Sequence, residues 1–197
     1  LAAFLISTSL TSSLSAQEAE TGQPVFLNPP KVITDPGPNY RASSRKFQGI
    51  PSLARAPEGR LWAIWYGGPT PGEDLHNYVM VVTSGDDGKT WSDEVLVIDP
   101  DGDGPVRAYD PELWIDPLGR LWVFWAQAIE HDGKIAGVWA VTTDEPDSPN
   151  PTWSEPRRLT DGVMMNKPTV LSTGEWVLPA STWQTLDSAK MVGSTDE

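Results

Sequence analysis

Ser84-Gly85-Asp86-Asp87-Gly88-Lys89-Thr90-Trp91 is the stretch whose reading decides the fold. Short polar side chains at 84 and 86 bond to nearby turn backbone. Gly88 supplies a positive φ at no steric cost. Trp91 is expected to open the next strand and pack its ring under the turn. The stretch therefore predicts a tight connection between two antiparallel strands. Such a turn shapes the chain and does no chemistry.

Around it lies a longer repeat. Arg60-Leu61-Trp62-Ala63-Ile64-Trp65 returns as Arg120-Leu121-Trp122-Val123-Phe124-Trp125, and Gly174-Glu175-Trp176-Val177-Leu178 is a weaker third copy. Pro51-Ser52-Leu53, Pro111-Glu112-Leu113 and Pro168-Thr169-Val170 precede the three copies. Residues 135–143 lead into an altered turn, where residues 144–151 come before Thr152-Trp153-Ser154. Val192-Gly193-Ser194-Thr195-Asp196-Glu197 reads as the first half of one more such turn. The runs between turns alternate or stay apolar and are rich in Val, Ile, Trp and Tyr, as buried strands demand. Four short strands per unit of about 55–62 residues match a propeller blade. The tryptophan pairs at 62/65 and 122/125 read as packing between blades.

The S-x-D-x-G-x-T-W string resembles the Asp-box of sialidase-like β-propellers. Phe47-Gln48-Gly49-Ile50-Pro51 is similar to the Phe/Tyr-Arg-Ile-Pro motif that opens sialidase domains. The resemblance implies an all-β, sialidase-like β-propeller, six-bladed when complete, with roughly three blades present. It implies an exo-acting glycoside hydrolase that removes a terminal α-linked sialic acid, or a related acidic sugar, without a cofactor. Two alternatives stay open. One is a hydrolase or lyase acting on another acidic polysaccharide; the other is a glycan-binding propeller without activity. Asp74 falls where the family carries its acid/base aspartate. Gln48-Gly49 stand where the family has a carboxylate-binding arginine, and an amide lacks the bidentate grip of a guanidinium. The family's Tyr/Glu nucleophile pair and later arginines fall beyond residue 197, so this chain alone is expected to be inactive.

Composition bounds the rest. Residues 1–14 are apolar and small and lead into Ser15-Ala16, as in a secretory signal of residues 1–16 without its basic start. Residues 17–40 hold several prolines and read as a linker or lead-in strand, leaving 41–197 for a partial propeller truncated at its C-terminus. With no cysteine, disulfides, thiolate metal sites and cysteine nucleophiles are excluded. A net charge of −13 argues against nucleic acid and anionic membranes as partners. The expected setting is secreted or periplasmic, with a glycan as partner.

Blade topology sorts the loops. Turns a–b and c–d share one rim; the longer b–c loops and the crossovers share the other, where function concentrates. On that rim the candidates are Gln48, Arg107 with Asp110, and Asn166 with Lys167, all just ahead of inner strands. Glu73, Asp74 and His76 come from the first b–c loop, and Glu130, His131 and Asp132 from the second. Asp74 is the expected proton donor. Arg107, Lys167 and Arg45, with Arg41 in reach, are the expected clamp for a substrate carboxylate. Asp99-Pro100-Asp101-Gly102-Asp103-Gly104 followed by Asp110 copies calcium-loop spacing, but it lies between strands and contains prolines, so a solvated acidic loop is preferred. His76 and His131 lack any metal-site spacing.

Overall fold

The computed structural model describes residues 23–129 and 132–182 and the backbone of Val192–Ser194. The leader reading of residues 1–16 lies outside the described residues, as do Glu130, His131 and Thr195-Asp196-Glu197. The described chain is all-β apart from three single-turn 3-10 segments between residues 25 and 44.

The first unit is an antiparallel meander of β2 (Phe47–Arg55), β3 (Leu61–Gly68), β4 (Tyr78–Ser84) and β5 (Leu96–Asp99). β1 (Lys31–Ile33), from the lead-in segment, adds a fifth strand outside β5, pairing Val32 with Ile98. The second unit repeats the meander with β6 (Val106–Ile115), β7 (Leu121–Ile129), β8 (Gly137–Thr143) and β9 (Arg157–Asp161). The third is built of shorter pieces. β10 (Val163–Met164) pairs with β13 (Ala180–Ser181), and β12 (Trp176–Leu178) lies between β11 (Thr169–Val170) and β14 (Val192–Ser194). These are β-propeller blades.

Side chains alternate across a strand, and the repeat turns that alternation into radial packing. Trp62, Ile64 and Tyr66 on β3 face the second blade, where they meet Leu121, Val123 and Trp125 of β7 in one core. Trp122 and Phe124, on the other face of β7, meet Trp176, Leu178 and Met164 of the third blade. The matched positions 62 and 122 thus each point at the following blade. Trp65 belongs instead to the far face of the first blade, with Met80 and Val97. Three of the four paired tryptophans therefore do pack between blades. Trp176 stands edge-on to both Trp114 and Trp122, at 4.9 and 5.9 Å, a geometry that adds about 0.5–1.5 kcal/mol per pair beyond burial.

The turn at 84–91 forms as its residues require. Ser84 Oγ donates to Asp86 Oδ1 at 2.8 Å and accepts from the Gly88 amide at 3.0 Å. Asp86 accepts from the Thr90 amide and hydroxyl at 2.9 and 2.7 Å. Those bonds hold the Asp86 carboxyl below the usual carboxylate range. Gly88 has φ 79° and Asp87 φ 58°. Trp91 does pack against the turn, its Nε1 donating to the Gly88 carbonyl at 3.1 Å. It does not open the strand, however: β5 starts only at Leu96, because Ser92 and Val95 first bond back to Thr83 and Val81.

The second blade reuses this scheme with a longer turn. Glu145 takes the aspartate's place and accepts from the Thr152 amide at 2.8 Å. Ser154 bonds Thr142 in both directions, as Ser92 bonds Thr83. The added residues reach back to the first blade. Asp147 accepts from the amides of Glu58 and Arg60, and the Pro146 carbonyl accepts from Trp62 Nε1 at 2.7 Å. In the second blade the corresponding groups are served locally. Asp116 accepts from the amides of Leu118 and Arg120, from Arg120 Nε at 2.6 Å and from Trp122 Nε1 at 2.8 Å. The first blade has Ala56 at that position, and its neighbour's loop supplies the missing acceptors.

Candidate functional site

Each inner strand is interrupted near its start. The β2–β3 register shifts between Gly49 and Ser52, and the β6–β7 register shifts between Tyr109 and Glu112. In the third blade, Pro168 lies in the gap between β10 and β11. Ile50-Pro51 and Asp110-Pro111 occupy the first two irregularities. Bulges of this kind re-aim side chains and gather beside active sites. Asp110 carries the clearest mark of it. Its φ is +45°, a left-handed conformation that a non-glycine residue adopts only when its surroundings enforce it.

The first b–c loop closes over this bulge. Asn77 is buried; its carbonyl accepts from the Ala108 amide at 3.0 Å, and its Oδ1 accepts from Arg107 Nη1 at 2.9 Å. Arg107 is only 2 % exposed, although it is charged. Its guanidinium lies 4.1 Å from the centroid of the Tyr109 ring, and Nη1 also approaches Glu73 Oε2 at 3.5 Å. Glu73 Oε1 accepts from the Tyr66 hydroxyl. Tyr66, Glu73, Asn77 and Arg107 are thus one connected group at the junction of two blades, and Asp110 lies near enough to feel the charges of Glu73 and Arg107.

The electrostatics separate its members. Asp110 is 5 % exposed. Burial is the main cause that pushes its carboxyl from 3.8 up to about 6; the charge of Glu73 adds to it, Arg107 opposes it, and Glu112 adds a smaller push. Burial and the bond to Glu73 drive the Tyr66 phenol far above its ordinary value. Glu112, just past the same bulge, accepts from Ser52 Oγ through its Oε2 at 2.7 Å.

The sequence candidates divide between this group and other places. Arg107 and Asp110 are brought together, with Glu73 beside them. Asp74 lies in the same loop but turns its carboxylate into it, with Oδ1 accepting from the His76 amide at 2.9 Å. Burial acts to raise the Asp74 carboxyl, but Thr70, the His76 amide and the charges of His76 and Arg107 outweigh it and hold the carboxyl low. Arg45 and Gln48 do not join the group. Arg45 is buried on the far face of the first blade, donating to Glu94 Oε1 and the Tyr40 carbonyl, each at 2.6 Å. Arg41 meets the same Glu94 at 3.0 Å. Gln48 accepts from Trp65 Nε1 at 2.9 Å, so strand alternation turns it to that far face as well. Asn166 and Lys167 are exposed in the third blade, and Lys167 Nζ donates to the Leu53 carbonyl of β2 at 2.6 Å.

The calcium spacing is not realised among the described residues. Asp99 accepts from Tyr40 and from the Gly102 amide, Asp101 accepts from the Val106 amide, and Asp110 belongs to the blade junction. Asp132, from the second b–c loop, folds into its own turn and accepts from the Lys134 amide at 3.0 Å.

Sequence reasoning passed over Tyr66, Asn77 and Glu112. A signal existed for Tyr66: it lies two and four residues past Ile64 and Trp62, on the face turned to the second blade. Gly49 is its counterpart. A Cβ at 49 would lie 2.6 Å from Tyr66 Cζ and 2.8 Å from its hydroxyl. Gly49→Ala is therefore expected to lower stability by about 1–3 kcal/mol through overpacking and to displace Tyr66 from Glu73. Urea unfolding together with tyrosine absorbance titration checks both effects.

Comparison with protein-family models and with curated proteins gave no match. Among solved structures, the chain is similar to the Hadza microbial sialidase Hz136, with TM-score 0.54 and 17 % identity over 71 % of this chain and 33 % of that one. The α-L-arabinanase of Penicillium chrysogenum, solved with arabinobiose, gives TM-score 0.48 and 20 % identity over 78 % and 46 % of the two chains. The GH93 α-L-arabinofuranosidase of Fusarium graminearum, also with arabinobiose, gives 0.49 and 18 % over 79 % and 45 %. The chain spans a third to under a half of these structures. At 17 % identity the likeness to the Hadza sialidase concerns fold alone: the two share β-propeller blades.

Proposed function

We propose that these blades carry part of the active site of a glycoside hydrolase, with Asp110 as the proton donor to the glycosidic oxygen. One observation carries the reading: a buried, conformationally constrained carboxyl with acidity near pH 6 stands beside a second carboxylate. Glycoside hydrolysis needs such a pair, one member kept protonated and the other ionised. Asp110 is the member that keeps its proton up to about pH 6. Glu73, held by the Tyr66 hydroxyl and Arg107, is the second carboxylate, and its role is to offset positive charge developing at the anomeric carbon. This gives Asp110 the role that the sequence suggests for Asp74, and it leaves Asp74 to fasten the loop that carries Glu73. Neither role calls for a metal or an organic cofactor.

The propeller likeness to the Hadza sialidase supports including a sialoside among the substrates, in keeping with the sequence resemblance. An exported protein acting on glycans fits the reading. Among the described residues, no helix is long and apolar enough to cross a membrane.

The test is aglycone release by the full-length protein from aryl α-sialoside, aryl α-L-arabinofuranoside and neutral aryl pyranosides across pH. The expected result is turnover of at least one substrate, with kcat/KM falling as pH rises through about 6, where Asp110 loses its proton. No release from any of them overturns the hydrolase reading and leaves a glycan-binding propeller.

A further inference from the structure

We infer that a cavity of about 450 Å³ between the lead-in segment and the rim of the first blade is a second sugar-binding site. It takes an uncharged, hydroxyl-rich residue of the glycan, other than the terminal sugar that is cleaved. The choice of a sugar rests on the glycosidase reading; the cavity does not. Its volume falls in the range of about 300–1,000 Å³ usual for small-molecule sites. Its walls come from three places. Asn39 and Tyr40 belong to the lead-in, His76 to the first b–c loop, and Asp99 and Asp103 to the crossover into the second blade.

The lead-in wall is fastened in place. Arg41 and Arg45 both meet Glu94, at 3.0 and 2.6 Å, and the side chains of Arg45 and Glu94 are buried. Arg45 also holds the Tyr40 carbonyl at 2.6 Å, and the Tyr40 hydroxyl donates to Asp99 Oδ2 at 2.8 Å. Ser44 Oγ steadies the 3-10 turns by donating to the Arg41 carbonyl at 2.7 Å. A buried ion pair adds little net stability over an apolar replacement. What this one secures is position: it sets Asn39 and Tyr40 against the blade.

The lining has the chemistry of a sugar site. Tyr40 stands edge-on to Tyr78 at 5.0 Å, an aromatic part that suits the C–H face of a sugar ring. Asp99 is oriented by the Tyr40 hydroxyl and the Gly102 amide, and each of its oxygens keeps a lone pair for a sugar hydroxyl. The side chains of Asn39, His76 and Asp103 line the same space and form no hydrogen bond with the described residues. An amide, an imidazole and a carboxylate supply both donors and acceptors, as a hydroxyl-rich ring requires. Among the described residues, no lysine or arginine lines the cavity to pair with an anion. The first b–c loop serves both places. Glu73 and Asn77 meet Arg107, while His76, between them in sequence, lines the cavity, so the two are neighbours on one rim.

The test titrates the full-length protein with L-arabinose, D-galactose and lactose, reading the Gly102 backbone amide and the Asn39 side-chain amide by NMR. At least one sugar is expected to shift both signals with a single Kd. Asp103→Ala is expected to weaken that Kd at least about ten-fold, the loss of a hydrogen bond to a charged group, and Asn39→Ala about three-fold. Both side chains are exposed and unbonded, so these variants are expected to melt with the parent. Asp110→Asn is expected to keep the parent Kd. No shift with any of the three sugars, a Kd unchanged in both Asp103→Ala and Asn39→Ala, or shifts with tetramethylammonium and none with a sugar overturns the inference. Sugar binding here with no hydrolysis of any glycoside keeps the inference and removes the hydrolase reading. Hydrolysis without binding here does the reverse, so the two failures are distinct.

Discussion

Asp110→Asn lowers kcat/KM of the full-length protein by roughly 10²–10⁴-fold, the usual contribution of a positioned general acid, while making the fold more stable at neutral pH. The two effects share one origin. Asn keeps the shape of the side chain and tolerates a φ of +45°, so the bulge survives, but it has no proton to give. The stability sign follows from the direction of the shift. The folded carboxyl sits at about 6 against 3.8 for the free group, so the folded state binds the proton more tightly. The stabilising contribution of Asp110 is fully present below about pH 4 and is lost as pH rises through about 6. A shift of about two units corresponds to roughly 3 kcal/mol. Asp110→Asn should therefore match the parent near pH 4 and exceed it by up to about 3 kcal/mol near pH 7. Urea midpoints at the two pH values, beside aglycone release, read both effects. A variant that retains full activity removes Asp110 from the chemistry.

Asp116→Ala should cost about 3 kcal/mol or more. It leaves the buried Trp122 indole N–H without its acceptor, an orphan that costs about 1–3 kcal/mol, and frees two turn amides whose lost bonds cost about 0.5–1.5 kcal/mol each. Burial works to raise the Asp116 carboxyl, but bonds from Trp122 and from the Arg120 amide and side chain, with the charge of Arg120, outweigh it and hold the carboxyl low. Its contribution is therefore present above the ordinary aspartate value and fades as pH falls through the lowered one. Thermal melts from about pH 7 to pH 3 should show the parent converging on the variant at the acid end. A Tm unchanged at neutral pH would falsify the structural role. Activity is expected to persist in this variant at temperatures where it stays folded, since Asp116 is on the turn rim, away from Asp110.

Much of the fold was legible because it depends on local rules. Gly59, Gly88, Gly119 and Gly174 all adopt positive φ at the turns they mark. Period-two alternation in β3 and β7 assigns each residue to one face of its blade, and the repeated Arg-Leu-Trp strand puts the blades in sequence. The site was legible only in part. Arg107, Asp110 and Glu73 could be placed on one rim from topology. Gln48 could not be assigned to a face, because the bulge after Gly49 breaks the alternation that would decide it. Arg45 precedes β2, where no periodicity applies, and its partner Glu94 is far away in sequence. The acidity of Asp110 depends on burial beneath a neighbouring loop, and no local pattern encodes that. Asp74 and Glu73 are adjacent in sequence, and only the hydrogen bonds of the folded loop tell the residue that fastens it from the one that meets Arg107.

The loop that lends acceptors backward has a consequence for synthesis. Trp62 waits for a carbonyl 84 positions downstream, and the Glu58 and Arg60 amides wait for Asp147. While the ribosome is still extending the second blade, the first has every strand it needs but lacks its last hydrogen-bond acceptors. The first wedge is therefore completed only once the second has been made, whereas the second serves its own turn. A break in translation before Pro146 emerges would leave the Trp62 indole N–H without its acceptor.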